Sequence, residues 1–221
     1  MRDDEPNMDK RPESHKVHLH TIQLQEPVST GKNRDWAERR RIILESGIPC
    51  YTNKNYIRQL AANNTESLCV FKPSRIAKFY AEEQGPYSDE DLAVIQKAKN
   101  EKLLVSPIYD FKDVRFERLP YYFKCQFYDD EGKEMNLSVL DWEISTLLRK
   151  QIRKFQNDAE RAKLSTLDKY NGFITQNDVY FILGTRLKAH NKLRANPDSN
   201  ENPWSIISVI PFPKNHQKLL L

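Results

Sequence analysis

The stretch YYFKCQFYDDEGKEMNLSVL, residues 121–140, decides the fold because it contains two strands and the turn between them. Apolar and polar residues alternate through 121–128 and again through 135–139, which is the period of a strand with one buried face. Gly132 in the intervening D-E-G-K can adopt the left-handed conformation of a hairpin turn at little cost. One face of this hairpin is therefore predicted to be core and the other partly exposed to water.

The hairpin leads directly into the longest predicted helix. This helix begins at Asp141, a residue type that caps helix N-termini well. Its apolar residues lie 3, 1, 4 and 3 positions apart and form a single stripe: Ile144, Leu147, Leu148, Ile152 and Phe155. With a break, the helix is expected to continue to about Tyr170, where Asn171-Gly172 ends it.

Shorter elements are predicted on both sides of this centre. Helices are expected over residues 33–46, 54–63 and 88–100. Strands are expected over residues 17–24, 67–71, 103–109, 114–119, 178–183 and 204–210. The last two strands are almost continuously apolar, as expected for central strands covered on both faces. The Asn-, Asp- and Pro-rich residues 188–203 between them are interpreted as a linker.

The predicted fold class is α+β. A central antiparallel sheet, made of a meander and two C-terminal strands, is packed by one long amphipathic helix and several shorter N-terminal helices. Residues 17–213 are expected to form a single domain, a size that suits one hydrophobic core. Residues 1–16, which are highly charged, are interpreted as a disordered tail, and residues 214–221 as a C-terminal tail.

Composition excludes several classes of protein. The six glycines are scattered, so neither a dinucleotide-binding turn nor a P-loop is present. The chain has no apolar run long enough to span a membrane, and its charged N-terminus lacks the apolar core of a signal peptide. Three widely spaced cysteines form neither a disulfide framework nor a four-cysteine zinc site. We therefore expect a soluble intracellular protein, cytoplasmic or nuclear, that is not secreted and has no membrane partner.

The net charge of +4 conceals an asymmetry along the chain. Residues 144–221 contain 13 Lys and Arg but only 6 Asp and Glu, whereas the rest of the chain is slightly acidic. A basic C-terminal third favours an acidic partner, and nucleic acid, either DNA or RNA, is the first candidate.

The first candidate surface is one face of the long helix. Its cations form two pairs at i,i+4 spacing beside the apolar stripe, Arg149 with Arg153 and Lys150 with Lys154. Like charges at this spacing repel by ~0.2–0.5 kcal/mol per pair, and a phosphate backbone alongside would relieve that repulsion. The alternative is an ordinary solvated helix face.

The second candidate surface is the exposed face of the hairpin. Tyr122, Lys124 and Tyr128 lie on it together with Gln126. Sheets that bind single-stranded nucleic acid use this combination, because rings stack on bases while cations contact phosphates. The alternative is that a helix packs over these tyrosines as part of the core.

A third candidate is a metal-dependent nuclease site. Asp110, Asp129 and Asp141 fall at predicted strand ends, where carboxylates could gather around Mg²⁺. Asp110-Phe111-Lys112 also has the acid-x-Lys form found in one class of nuclease. Asp141 has a simpler role as a helix cap and Asp129 as a turn residue, and the triplet at Asp110 is expected by chance in a chain with 30% charged residues. Mg²⁺ is expected only under this hypothesis, and no other cofactor is predicted.

The remaining signals are weaker. His18 and His20 share one face of a predicted strand, but the sequence places no third metal ligand beside them, and no histidine is assigned a catalytic role. Leu219, Leu220 and Leu221 end the chain after a polar stretch and could dock on a protein partner. The sequence therefore favours a non-catalytic nucleic-acid-binding subunit of a larger assembly, with a nuclease and a protein-interaction subunit as alternatives.

Overall fold

The computed structural model describes residues 9–15, 21–30, 36–45, 47–100 and 118–214, which contain six helices and one seven-stranded sheet. The helices are α1 (Ala37–Leu44), α2 (Lys54–Ala62), α3 (Asp89–Asn100), α4 (Trp142–Lys154), α5 (Ala159–Gln176) and α6 (Leu187–Ala195). The strands are β1 (Cys50–Tyr51), β2 (Leu68–Phe71), β3 (Arg75–Glu83), β4 (Tyr121–Tyr128), β5 (Glu134–Val139), β6 (Asn177–Thr185) and β7 (Trp204–Pro213).

The strand order in the sheet is β1-β2-β6-β7-β5-β4-β3. The sheet is mixed, because β1 pairs with β2 and β5 pairs with β7 in parallel, while the other four pairings are antiparallel. Helices pack against this central sheet, so the predicted α+β class is confirmed. The two C-terminal strands are neighbours at the centre of the sheet, as their continuous apolar sequences indicate.

The central hairpin forms as its sequence predicts. Along β4, buried and half-buried residues alternate without interruption, and the turn after it places Gly132 at a φ of 76°. Phe123, Cys125 and Phe127 point into the core, as do Met135, Leu137 and Val139 of β5. The intervening side chains of both strands point to the outer face of the sheet.

The sheet is strongly curled. β5 and β7 are joined at a single residue pair, Val139 with Ile206, so the sheet divides into two halves at this point. The ring of Phe127 in β4 lies 5.0 Å from that of Phe181 in β6 and 5.7 Å from that of Phe71 in β2. Since two strands separate β4 from β6 in the sheet order, these rings can meet only because the halves fold towards each other.

Helices close the inner side of the curled sheet. On α4, Ile144 and Leu148 are fully buried in the core cluster. α5 packs beside α4, and its Tyr170 stacks on Phe79 of β3 with ring centroids 5.0 Å apart. α1 packs outside the other half, where the ring of Trp36 contacts that of Phe212. None of the helices in the described ranges has the length and apolar character needed to span a membrane.

Several expectations for strands differ from the structure. The edge strand β3 was not predicted; it pairs with β4 in place of the strands expected over residues 103–109 and 114–119. Those two segments lie outside the described residues, except for residues 118–119, which are not in a strand. The strand expected over residues 17–24 is described only at residues 21–24, and these residues do not belong to a strand.

Two expectations for helices are wrong. α5 continues through Asn171-Gly172 to Gln176, because one helical glycine costs only about 1 kcal/mol and packing against the sheet outweighs it. The segment 188–203 is not merely a linker, since it includes most of α6, in which Ala189, His190 and Leu193 are buried. The buried residues lie at i, i+1 and i+4, a stripe too short to stand out in a polar sequence.

Part of the segment expected to be a disordered tail, residues 1–16, contacts the sheet. Residues 9–15 are described and dock beside β2 and β6. The carboxylate of Glu13 accepts hydrogen bonds from the backbone N–H of Ser67 at 2.9 and 3.0 Å and from its hydroxyl. Arg11 donates to the backbone carbonyl of Thr185. Charged residues in this segment therefore satisfy backbone groups at one end of the sheet.

Substitution of Phe127 by Ala tests the ring contacts that hold the two halves of the sheet together. Because the side chain is fully buried, we expect Phe127→Ala to lower the free energy of unfolding by about 3–5 kcal/mol in urea denaturation. The matched control is Gln126→Ala on the outer face, with an expected loss below about 1 kcal/mol. Equal losses in the two variants would contradict the proposed role of the ring.

Candidate nucleic-acid interface

The basic residues of α4 form a strip on the side of the helix away from the core. Lys150, Arg153 and Lys154 are exposed, and Arg149 is half-buried. α4 is held in this orientation by Ile144 and the other buried residues of its apolar stripe. The four predicted side chains are therefore brought together on one surface, which we call the α4 strip.

Three of the four cations of the α4 strip are not neutralised by a carboxylate of the described residues. Lys150, Arg153 and Lys154 have no ion-pair partner among the described residues. The ammonium group of Lys154 lies 5.3 Å from the ring of Phe155, and the guanidinium group of Arg161 at the start of α5 lies 4.6 Å from the same ring. The positive surface thus continues from α4 onto α5. Because Arg153 and Lys154 occupy the last turn of α4, they also interact favourably with the helix dipole.

The second predicted surface lies on the outer face of β4. Tyr122, Lys124, Gln126 and Tyr128 are all half-buried there. No helix is needed to explain their partial burial, because neighbouring side chains of β3 lie beside them. The pairing register places Arg75 opposite Tyr128, Lys78 opposite Gln126, and Tyr80 opposite Lys124. We call this surface of β3 and β4 the tyrosine face.

Each tyrosine of this face is paired with a cation. The guanidinium group of Arg75 lies 4.2 Å from the ring of Tyr128, and the ammonium group of Lys78 lies 4.7 Å from the ring of Tyr80. The ammonium group of Lys124 lies 5.6 Å from the ring of Tyr122. The rings are oriented by these contacts, which are typical cation–π geometries.

The charge of Lys124 is already compensated within the tyrosine face. Its ammonium group lies 3.0 Å from a carboxylate oxygen of Glu82, which also accepts a hydrogen bond from the hydroxyl of Tyr122. The hydrogen bond to Glu82 raises the pKa of Lys124, and hydrogen bonds from Tyr122 and Lys124 lower the pKa of Glu82. Lys124 therefore adds little net charge to the tyrosine face, which still carries Arg75 and Lys78 beside its rings.

Sequence analysis missed the contribution of β3 to this face. In residues 75–83, Lys78, Tyr80 and Glu82 alternate with Phe79 and Ala81, which is a strand signal. The alternation starts only after a break, since the register shifts between Ile76 and Lys78 and places Ala77 in a bulge. The segment fits the pattern of a strand once one bulged residue is allowed.

The α4 strip and the tyrosine face lie on different sides of the molecule. α4 packs on the inner side of the sheet, whereas the tyrosine face is its outer side. At one end of the hairpin, the ammonium group of Lys163 in α5 lies 4.9 Å from the ring of Tyr121, the first residue of β4. Tyr121 immediately precedes Tyr122, so the beginning of α5 is next to one end of the tyrosine face.

The structure does not bring the candidate carboxylates together. Asp129 lies at the turn of the β4–β5 hairpin, and Asp141 lies beyond the opposite end of β5. At about 3.3 Å per residue, the length of β5 separates them by roughly 20 Å, far more than one metal ion can bridge. Asp110 lies outside the described residues. Within the described part of the chain, no group of three or more His, Cys, Asp or Glu side chains is placed to hold a metal ion.

Asp129 and Asp141 instead accept hydrogen bonds from backbone N–H groups. The fully buried carboxylate of Asp129 accepts from Lys54 at 3.0 Å, Glu131 at 3.0 Å and Lys133 at 2.7 Å. The carboxylate of Asp141 caps α4 by accepting from Glu143 at 2.7 Å, and its second oxygen accepts from Val209 of β7 at 2.8 Å. These contacts match the simpler roles in turn and cap that the sequence also allows.

His18 and His20 lie outside the described residues. His190 is fully buried in α6, and its Nε2 lies 2.9 Å from the side-chain oxygen of Asn64. Burial is the main cause that lowers the pKa of His190, with the cations of Arg194 and Arg11 adding to it. Its environment therefore favours the neutral imidazole.

A family model described as Domain of unknown function (DUF8757) matches residues 52–221, more than three quarters of the chain. The chain belongs to this family. The region shared with the family contains the α4 strip, the tyrosine face and all three candidate carboxylates. No curated protein and no solved structure gives a significant match.

Replacement of Asp141 by Ala tests its structural role. The variant loses a helix cap, worth about 1 kcal/mol, and leaves the Val209 N–H without its acceptor, which costs about 1–3 kcal/mol. We expect the free energy of unfolding to fall by about 2–4 kcal/mol in urea denaturation. Glu143→Ala, which removes an exposed carboxylate from the same helical turn, is the control and should cost less than about 1 kcal/mol. A loss no larger than that of the control would refute the capping role.

The burial of His190 predicts a pH dependence of stability. Since its pKa is lowered in the folded state, the unfolded chain binds a proton more readily as the pH falls below about 6.5. The contribution of neutral His190 to the free energy of unfolding is present above that pH and is lost as the pH falls towards the folded-state pKa. The free energy of unfolding, measured between pH 5 and 8, should therefore depend less steeply on pH in His190→Gln than in the wild type. The two slopes should differ by at most ~1.4 kcal/mol per pH unit. Identical slopes would contradict this assignment.

Proposed function

We propose that this chain is a nucleic-acid-binding accessory protein that acts in a larger assembly and contacts the phosphate backbone through the α4 strip. The observation that carries the proposal is the exposure of Lys150, Arg153 and Lys154 on one helix face without an acidic partner among the described residues. Exposed cations on one surface attract a polyanion and release the counterions condensed on it.

Helix geometry supports a contact with a continuous backbone. Residues four apart lie one above the other, so the i,i+4 pairs of the α4 strip form two parallel rows about one helical turn long. The rise of about 6 Å between members of a pair is similar to the spacing of successive phosphates along an extended strand. Arg161 at the start of α5 extends this surface beyond the end of α4.

The tyrosine face supports a secondary role in contacting bases. Its rings are partly exposed and pre-oriented, and aromatic platforms of this kind stack on unpaired bases with little dependence on sequence. Lys124 is paired with Glu82, whereas Arg75 and Lys78 lie beside the other two rings and add positive charge to this surface. It therefore favours single-stranded over duplex nucleic acid as the partner at this face.

Removal of two cations from the α4 strip tests the proposal. Arg153→Ala combined with Lys154→Ala should weaken binding to all sequences and reduce the dependence of log K on log salt by ~0.9 for each duplex phosphate that the variant no longer neutralises. Binding would be measured by fluorescence anisotropy with single- and double-stranded DNA and RNA at two salt concentrations. The control is Lys188→Ala with Lys192→Ala, which also removes two exposed cations, from α6 instead of α4.

The outcomes of this titration separate the three functional classes. Equal affinity and salt dependence in both double variants would overturn the role of the α4 strip. Probe shortening that requires Mg²⁺ and disappears in Asp110→Ala would support the nuclease instead. Absence of binding by the wild type at low salt would remove nucleic acid as the partner.

A protein-interaction subunit is the second candidate function, and one observation favours it. Trp142 at the start of α4 is 73% exposed, and the preceding apolar residue, Leu140, is 57% exposed. Large exposed aromatic side chains are typical of residues that become buried at protein interfaces. The C-terminal leucines, which the sequence suggests as a docking tail, lie outside the described residues.

A further inference from the structure

A cleft of about 530 Å³ lies between α1, the helix pair α4 and α5, and the strands β6 and β7. Most of the side chains that line it are apolar, and they include Ile43 of α1, Leu147 of α4, Phe173 of α5 and Val209 of β7. A recessed apolar surface of this volume is typical of small-molecule sites in proteins. No residue of the α4 strip or of the tyrosine face belongs to the described lining, so the cleft is a separate feature.

The cleft opens where β7 diverges from β5. The two strands pair at a single position, so residues 208–211 have β6 on one side and the cleft on the other. On the open side, the N–H of Val209 donates to the carboxylate of Asp141 at 2.8 Å. Pro211 occupies the next position along the same edge, since alternate residues of a strand point to the same side, and it has no N–H. This edge is therefore a poor partner for an added strand, which argues against an extended peptide as the occupant of the cleft.

The apolar side of α1 is not fully covered by the protein. Within residues 37–44 no side chain is fully buried, although α1 packs against the body of the molecule. Ile42 and Ile43 line the cleft and are half-buried, as is Leu147 on α4. A molecule that fills the cleft would remove more of these side chains from water, and burial of apolar surface is favourable.

The charged groups around the cleft balance each other. Among the described residues its lining contains one cation, Arg39, and one carboxylate, Glu143, which is exposed. The guanidinium group of Arg39 donates to the backbone carbonyl of Val28 at 3.1 and 3.2 Å and lies 5.0 Å from the ring of Trp36. Burial of an ionic group against the apolar walls would be costly without an excess of opposite charge. The cleft therefore favours an uncharged ligand.

Tyr170 gives the cleft a hydrogen-bond donor. Its side chain lines the cleft, and its hydroxyl makes no hydrogen bond to any described residue. This hydroxyl is also not one of the unpartnered polar atoms of the described residues that are sealed from solvent. Burial is the main cause that raises the pKa of Tyr170, and the carboxylates of Asp141 and Glu143 add to it, so the phenol keeps its proton. A protonated hydroxyl without a partner suits an acceptor oxygen of a ligand.

We propose that this cleft binds an uncharged, mainly apolar small molecule with one acceptor oxygen, such as a medium-chain alcohol. The oxygen accepts the hydrogen bond of the Tyr170 hydroxyl, and the apolar part packs on Leu147, Phe173 and Val209. The ligand covers the apolar side of α1 at the same time. The proposal does not depend on nucleic-acid binding at the α4 strip.

A fluorescence titration of the full chain tests the proposal. N-phenyl-1-naphthylamine is uncharged and apolar, and its emission rises in an apolar environment, so it reports occupancy of the cleft. We expect it to bind saturably and to be displaced by 1-decanol, which carries one hydroxyl on an apolar chain. Decanoate and decylamine have chains of the same length but carry a charge, and they should displace it only at concentrations at least about tenfold higher.

Three variants assign the binding to the cleft. Tyr170→Phe keeps the ring that stacks on Phe79 and should weaken 1-decanol binding about fivefold, the factor of one neutral hydrogen bond, without changing the affinity for N-phenyl-1-naphthylamine. Leu147→Asn places an amide in the apolar wall and should weaken both ligands at least about tenfold. The matched control, Leu164→Asn, makes the same change at an exposed position of α5 outside the cleft and should bind as the wild type does.

Urea denaturation of each variant distinguishes loss of the fold from loss of the site. Absence of saturable binding by the wild type would overturn the proposal, and so would equal affinities of folded Leu147→Asn and Leu164→Asn. Displacement by decanoate or decylamine at the same concentrations as 1-decanol would overturn the uncharged ligand, and an unchanged affinity for 1-decanol in Tyr170→Phe would overturn its hydrogen bond. Arg153→Ala with Lys154→Ala should bind 1-decanol as the wild type does, so failure of this site is distinguishable from failure of the proposed function.

Discussion

The contact of Phe127 with Phe71 and Phe181 is the interaction on which the rest of the structure depends. It joins rings from strands that the sheet order keeps apart, so it requires the two half-sheets to fold towards each other across the single β5–β7 pair. Once the sheet curls, alternate residues of β4 are buried in the core. The intervening tyrosines and Lys124 then lie on the outer face of the sheet. The same curl brings the hairpin turn to the beginning of α2, where Asp129 accepts the backbone N–H of Lys54.

Elements with a strong local period could be predicted, and elements defined by tertiary contacts could not. The hairpin and α4 carry uninterrupted patterns and cap or turn residues that agree with them, so they form as expected. The strand β3 was missed because the Ala77 bulge breaks its alternation. The lengths of α5 and α6 were misjudged for a different reason: Gly172 and the polar residues near His190 weaken the local signal, while burial against the rest of the protein decides the outcome.

The candidate functional residues also divide into those that local periodicity brings together and those whose placement depends on tertiary contacts. Helical spacing alone places the cations of the α4 strip together, because both ends of every i,i+4 pair belong to one rigid element. Strand spacing places Tyr122, Lys124 and Tyr128 on one face for the same reason. The carboxylates were expected at strand ends, but a strand has two ends, and the sequence does not specify which ends become neighbours. Asp129 and Asp141 lie at opposite ends of β5, where their carboxylates accept hydrogen bonds from backbone N–H groups.

The docking of residues 9–15 beside β2 has a consequence for where this protein can be divided. The family match begins at residue 52, yet Glu13 satisfies Ser67, Arg11 bonds to the end of β6, and Trp36 packs on Phe212 of β7. A fragment that begins at residue 52 would leave these polar groups and an aromatic ring exposed to solvent. Cutting the chain where the family match begins would therefore remove side chains that bond to and cover the edges of the sheet.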